Sequence, residues 1–206
     1  MNYTILYPNW FYSYLDIPNL EEIQKELITL FESGVNRYER NKLYCNFPSI
    51  IVLSKCPELK KYLISKGLIG KFNRVLFSKD VNAERKTKVH VDSYDPTITT
   101  HSLNIGLTDC KNSYTVWYKT DKTKLRDSSE FGLDPVKNYA YLFLEEAEEI
   151  KRVEYNDRPV LVNTTILHRG VAEFSSRLIC GLRFFPELTN GDIKRLGIIN
   201  PHIQKD

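Results

Sequence analysis

From residue 70 onward the chain is a succession of short segments, each too brief for a helix and most of them rich in β-branched or aromatic residues. "KFNRVLFS", "TKVHVDS", "HSLNIGL", "YTVWYKT", "YAYLFLEE", "IKRVEYN", "RPVLVNT", "ILHRGVA" and "RLICGLRFF" follow one another, divided by turn-forming residues. Closely spaced strands with no further long helix argue against alternating βαβ units and predict a β-sandwich or jelly roll. Thirteen tyrosines and ten phenylalanines fit that reading, because aromatic rings pack well on a pleated surface. "LEEAEEIKR" is ambiguous; Val153 and Tyr155 alternate cleanly into "RPVLVN", so it reads as strand, turn, strand. The polar segment 120–138, with Gly132 and Pro135, reads as a long loop over a binding site.

Two helices precede the strands. Leu20, Ile23, Leu27, Leu30 and Phe31 recur at helical spacing in "PNLEEIQKELITLFESG", with Asn19 as cap, Glu21 and Glu22 in the first turn and Gly34 as stop. In "SKCPELKKYLISKGLIG", Ser54 is the expected cap, Leu59, Tyr62 and Leu63 the apolar face, and Gly67 the stop. Lys60, Lys61, Lys66 and Lys71 then form the wet side of that helix. With a net charge of only +3, nothing here argues nucleic-acid binding. Cys45, Cys56, Cys110 and Cys180 have no zinc-binding spacing and suit a reducing compartment. "MNYTILYPNWFYSYLD" lacks the pattern of a signal peptide, and no apolar run reaches the length of a membrane span, so a cytoplasmic location is expected.

The chemistry begins at "TKVHVDSYD". Alternate residues of a strand share a face, so His90 and Asp92 point the same way and offer two corners of a metal site. His168, in "LVNTTILHRGVAEFSSRLICGLRFF", is the natural third ligand. Two histidines and a carboxylate on one face of an octahedron form the facial triad of non-haem Fe(II) oxygenases, with three positions left open. Arg177, nine residues on, opens the last strong strand, where a guanidinium can grip a remote carboxylate. No G-x-S-x-G, P-loop or H-E-x-x-H competes.

H-x-D followed by a distant H-x9-R resembles the Fe(II)/2-oxoglutarate-dependent dioxygenase superfamily. "HVDSYD…LNIGLTDCKNSYTVWYK" and "PVLVNTTILHRGVAEFSSRLICGLRF" are similar to its small prolyl-hydroxylase-like members, frequent in phage and bacterial genomes. The resemblance covers roughly residues 70 to 186. It implies a mainly β fold, a double-stranded β-helix of the jelly-roll or cupin-like kind, braced by N-terminal helices. The chain then divides as a single domain, 1–206, with a helical support region (1–69), the β-helix core (70–186) and a C-terminal tail (187–206).

Carried over by position, the resemblance makes His90, Asp92 and His168 the ligands of Fe(II). It makes Arg177 the anchor for the 5-carboxylate of 2-oxoglutarate, and Asn104 a polar cosubstrate contact. Dioxygen is the co-reactant, succinate and CO2 the products, ascorbate the usual reductant in assays, and hydroxylation the expected outcome. The prime substrate is left open among protein side chains, nucleobases, small metabolites and lipids. Arg183, an even number of residues from Arg177, shares its face and is the alternative anchor. His101 reads as a turn or surface histidine, and His202 as exposed. Arg169 falls on the face opposite His168. One of Trp117 and Tyr118 is core and the other is at the substrate entrance. Asn163 and Thr164 satisfy backbone at a strand end. The competing readings are a jelly-roll binding or structural module that keeps the metal site without turnover, and a cupin-type metalloenzyme that uses no oxo acid.

Overall fold

The computed structural model describes residues 10–34, 38–41, 44–80, 89–92, 100–108, 110–120, 126–127, 140–142, 144–155, 158–172 and 177–198. Two antiparallel sheets face one another. The seven-stranded sheet runs β1 (Tyr12–Tyr14), β11 (Val160–Asn163), β6 (His101–Thr108), β13 (Arg177–Phe184), β4 (Phe72–Asp80), β3 (Tyr44–Pro48), β2 (Tyr38–Asn41). The six-stranded sheet runs β10 (Glu148–Glu154), β7 (Ser113–Lys119), β12 (His168–Ala172), β5 (Val89–His90), β9 (Ala140–Leu142), β8 (Arg126–Asp127). From β4 to β7 and again from β10 to β13, each step crosses between the sheets. That is the winding of a double-stranded β-helix, or jelly roll. "LEEAEEIKR" is a 3-10 turn, Leu144–Glu146, leading into β10.

Alternation along the strands decides what each face covers. On β13, Leu178, Cys180, Leu182 and Phe184 join the main apolar cluster on the outer face of the larger sheet, while Ile179 joins the cluster between the sheets. Arg177, Ile179, Gly181 and Arg183 therefore line the interior of the jelly roll. Three helices cover the outer face. In α1 (Leu20–Ser33), Ile23, Leu27 and Leu30 are buried at helical spacing, each such burial contributing about 1.5–3 kcal/mol. Gln24 ties the helix down by donating to the Gly106 carbonyl of β6 at 2.7 Å.

The helix ends differ from the sequence expectation. Asn19 holds the N-cap position of α1, its carbonyl accepting from Ile23 N–H at 3.1 Å, but it is left-handed (φ 55°) and its side chain makes no cap bond, its amide donating instead to Glu58 at 3.2 Å. Ser54 lies inside α2 (Ser49–Lys55), and Pro57 opens α3 (Pro57–Ser65). The exposed amides of α3 are taken by Glu26 of α1, whose carboxylate accepts from Glu58 N (2.9 Å) and Leu59 N (3.3 Å). A carboxylate there also meets the positive end of the helix dipole. Gly34 and Gly67 end their helices at φ 63° and 65°, as a left-handed stop requires. The support region supplies β1, β2 and β3 to the larger sheet as well as helices, and the tail folds α4 (Asn190–Arg195), capped by Thr189. Asp192 fastens α4 to the body through Lys71 at 2.6 Å.

His101 is not at the surface. It is 3% exposed at the start of β6, with its ring centroid 5.2 Å from that of Trp10. Burial lowers its pKa to about 4. The unfolded chain therefore takes up a proton between about pH 6.5 and 4 that the folded chain refuses, so this contribution to stability is present above pH 6.5 and lost as pH falls. The melting temperature should fall less steeply between pH 6.5 and 4 in His101→Phe than in the wild type. Superimposable pH profiles would refute the buried neutral imidazole.

Candidate metal centre

The six-stranded sheet sets two of the three candidate ligands side by side. His168 of β12 pairs directly with His90 of β5 on one flank and with Trp117 of β7 on the other. Residues in direct register share a face, and Trp117, fully buried between the sheets, identifies that face as the interior. The two imidazole centroids are 4.7 Å apart. Asp92 lies just past the end of β5, where its backbone N–H donates to the Thr164 carbonyl at 3.0 Å. Its Oδ1 stands 3.5 Å from His90 Nε2 and 3.9 Å from His168 Nε2. One ligand atom from each residue fits within a 4.8 Å cluster, the spacing of groups that share a metal ion.

The donor set is chemically prepared for a cation. His168 Nδ1 lies 2.9 Å from the Ile166 carbonyl, which can only accept, so Nδ1 carries the proton and Nε2 presents its lone pair to the cluster. Burial lowers the His168 pKa to about 4, keeping the imidazole neutral near pH 7. Burial acts to raise the Asp92 carboxyl. The Arg183 guanidinium beside it, helped by His90 and His168, outweighs that and holds the group well below the usual carboxylate range. Two imidazoles and one carboxylate converging on a point suit a divalent first-row metal.

Arg177 lies deeper in the same interior. It is 4% exposed and reaches from the larger sheet to the smaller one, donating to the carbonyls of Val171 (2.7 Å) and Tyr114 (3.4 Å). Its path crosses Gly170, two residues beyond His168 on the same face. A Cβ there would stand 2.6 Å from Arg177 Nη2, so glycine is what lets the guanidinium through. Below it, the Tyr155 ring lies 5.8 Å from the guanidinium carbon.

Asn104 belongs to a polar chain that borders this space. Ser102 Oγ donates to Asn104 Oδ1 (2.5 Å), Asn104 Nδ2 donates to the Tyr155 hydroxyl (2.7 Å), and that hydroxyl shares a hydrogen bond with Thr115. Gly181 makes room for it, since a Cβ would lie 3.0 Å from both Asn104 Oδ1 and Ser102 Oγ. Burial pushes the Tyr155 phenol up, so it remains a neutral donor.

The remaining sequence candidates fall as follows. Arg183 binds Asp92, with Nη1 2.5 Å from Oδ2. Arg169 is on the opposite face from His168 and 9% exposed. Trp117 donates to the Asn163 carbonyl, while Tyr118 packs with Val89, Val91, Val116 and Leu167 on the outer face of its sheet, so both are core. Asn163 serves backbone, accepting from Thr165 N and donating to the Trp10 carbonyl. His202 and most of segment 120–138 lie outside the described residues, apart from Thr120 and the short β8. Sequence reasoning missed Tyr155 and Thr115. Alternation from Trp117 places Thr115 inside and alternation from Val153 places Tyr155 there too, but neither pattern says that the two hydroxyls meet.

No protein-family model and no curated protein sequence matches the chain. Solved structures do resemble it. SnoN, an epimerase from nogalamycin biosynthesis in complex with Fe3+, alpha ketoglutarate and nogalamycin RO, aligns at 9% identity over 85% of this chain and 79% of its own, TM-score 0.49. The non-heme alpha ketoglutarate dependent carbocyclase SnoK aligns at 13% identity over 91% and 87%, TM-score 0.46. A prolyl hydroxylase from Trichoplax adhaerens, in complex with a hypoxia inducible factor oxygen degradation domain peptide fragment, aligns at 13% identity over 91% and 86%, TM-score 0.39.

The cluster makes a direct prediction. Mn(II) should bind the wild-type protein, and Asp92→Ala and His168→Ala should each weaken it by more than about tenfold, as followed by the paramagnetic resonance of free Mn(II). Unchanged affinity in Asp92→Ala would remove that residue from the ligand set.

Proposed function

We propose that this chain is an Fe(II)- and 2-oxoglutarate-dependent dioxygenase acting as a hydroxylase. The observation that carries the proposal is the joint placement of His90 Nε2, His168 Nε2 and Asp92 Oδ1 with a buried arginine one pleat away in the same interior. Iron held by that triad, with 2-oxoglutarate and dioxygen, would supply the oxidation of a C–H bond coupled to decarboxylation of the oxo acid.

In this reading the chain's own work is orientation. Arg177 holds the distal carboxylate of 2-oxoglutarate by a charge-assisted bond. Gly170, which the guanidinium crosses, lies two residues from His168, or ~6.6 Å along an extended strand. A five-carbon diacid spans about 5 Å between its end carbons, from C–C bonds of about 1.5 Å. The two distances are commensurate. Asn104 and Tyr155 offer neutral donors along the space between, and Trp117 and Ile179 exclude water from its wall. Cys45, Cys56 and Cys180 are buried, with Cys56 pushed up to about 12 by burial, which supports packing in a reducing compartment over nucleophilic chemistry. No helix among the described residues is long and apolar enough to cross a membrane.

The test is turnover. Protein reconstituted with Fe(II), ascorbate and 2-oxoglutarate should release succinate slowly by itself, and faster once a substrate is supplied from peptide, nucleotide and small-molecule panels. Binding of 2-oxoglutarate without succinate under all these conditions would favour a non-catalytic binding module. Arg177→Ala should raise the 2-oxoglutarate concentration for half-maximal succinate release by more than about tenfold, in line with loss of a charged hydrogen bond worth about 1.5–3 kcal/mol, while Mn(II) binding stays near wild type. Gly170→Ala should act in the same direction by displacing the guanidinium. If Arg183→Ala raises that concentration and Arg177→Ala does not, the anchor assignment is reversed.

A further inference from the structure

Asp92 has two carboxylate oxygens, and the structure gives them different neighbours. Oδ1 faces both histidines, at 3.5 Å and 3.9 Å. Oδ2 is 2.5 Å from Nη1 of Arg183. Asp92 lies beyond the last ladder bond of β5; among the described residues its backbone is held by the N–H donated to Thr164, and its side-chain rotation is set by what grips the carboxylate. Among the described residues, Arg183 is the group that grips Oδ2.

The fold aims Arg183 at this job. β13 is bracketed by β4 and β6, and Arg183 pairs directly with Arg74 on one side and Ser102 on the other. The register with β4 shifts between Arg183 and Phe184, an irregularity of the kind that re-aims a side chain. The Asp92 and Arg183 side chains remain 21% and 25% exposed, so the pair stands at the edge of the buried interior and not inside it.

From this geometry we infer that Arg183 is a positioning residue that keeps Asp92 a one-oxygen ligand, offering Oδ1 to the metal and withholding Oδ2. The consequence follows from counting. An octahedral ion held by two imidazoles and one carboxylate oxygen keeps three positions open; a carboxylate binding through both oxygens leaves two. A bidentate oxo acid needs two positions and dioxygen a third, so a chelating Asp92 would close the site to one of the reactants. A charge-assisted bond to Oδ2 is the simplest way to prevent this, in the manner of partners that orient ligating carboxylates in metal sites. The inference deepens the proposed function by giving a task to the arginine that is not the distal anchor.

The experiment uses the metal alone. With Mn(II) as probe and no cosubstrate, broadening of its paramagnetic resonance in 17O-enriched water counts the water molecules bound to the ion. The wild type should show three and Arg183→Met two, since Asp92 is then free to chelate. Arg183→Lys, which keeps a cationic donor toward Oδ2, should return the count toward three. Circular dichroism and melting temperature establish that each variant is folded. Should folded Arg183→Met fail to hold Mn(II) at all, recovery of binding with three waters in Arg183→Lys supports the same role, and no recovery overturns it. Three waters in Arg183→Met overturn the inference whatever its affinity. Because no oxo acid is present, this outcome is independent of the succinate assay: a wild type that binds Mn(II) with three waters and makes no succinate refutes the dioxygenase reading and leaves the role of Arg183 standing.

Discussion

The register of β12 between β5 and β7 is the constraint on which the rest of the site depends. His90, His168 and Trp117 stand in one row across three strands because each is directly opposite the next. Side chains alternate with period two, so a slip of a single residue would turn His168 outward and bring Arg169 in. Burial resists that slip: Ile166, of the same parity on the chain entering β12, would leave a closed apolar layer shared with Trp117, Val153, Tyr155, Val160, Val162 and Ile179. The candidate metal cluster is therefore held in register by hydrophobic packing beside it and not by attraction among its own residues.

A polar interior needs internal partners, and most of the unusual residues of this jelly roll serve that need. Arg177 reaches carbonyls of the opposite sheet because Gly170 leaves it a path. Ser102, Asn104, Tyr155 and Thr115 satisfy one another in a chain between the two sheets, and Gly181 leaves room for the first two. An unpartnered buried polar group costs about 1–3 kcal/mol. A network of this kind stays stable only when its members are mutually satisfied, which also rigidifies the walls that would orient a ligand. The two glycines thus act by the volume they leave empty.

Electrostatics divide the interior into two ends. At the partly exposed edge, Asp92 carries the negative charge and Arg183 balances it, while His168 stays neutral. Deeper in, Arg177 is a cation among carbonyls and a tyrosine ring. A ligand with one end toward the metal and a carboxylate toward Arg177 is matched to that polarity, which is the physical content of the 2-oxo diacid assignment.

Much of this was legible in the chain itself. The short aromatic and β-branched segments determined a two-sheet β fold, because only strands bury such a pattern. The H-x-D spacing determined that His90 and Asp92 share a direction, because strand side chains alternate. Helical spacing in α1 determined which of its residues meet the core. Local rules failed where the partner was distant in sequence: Asn19 and Ser54 look like caps, yet the amides of α3 are taken by Glu26 from another helix. His101 looked like a turn residue and is buried against Trp10 because β1 and its approach close over that edge of the sheet. Tyr155 and the pairing of Arg183 with Asp92, 91 residues apart, exist only once two sheets face each other. Periodicity acts within a few residues and is written in the sequence, whereas which atoms meet between the sheets is set by register, twist and the space that glycines leave, and these arise only when the whole jelly roll closes.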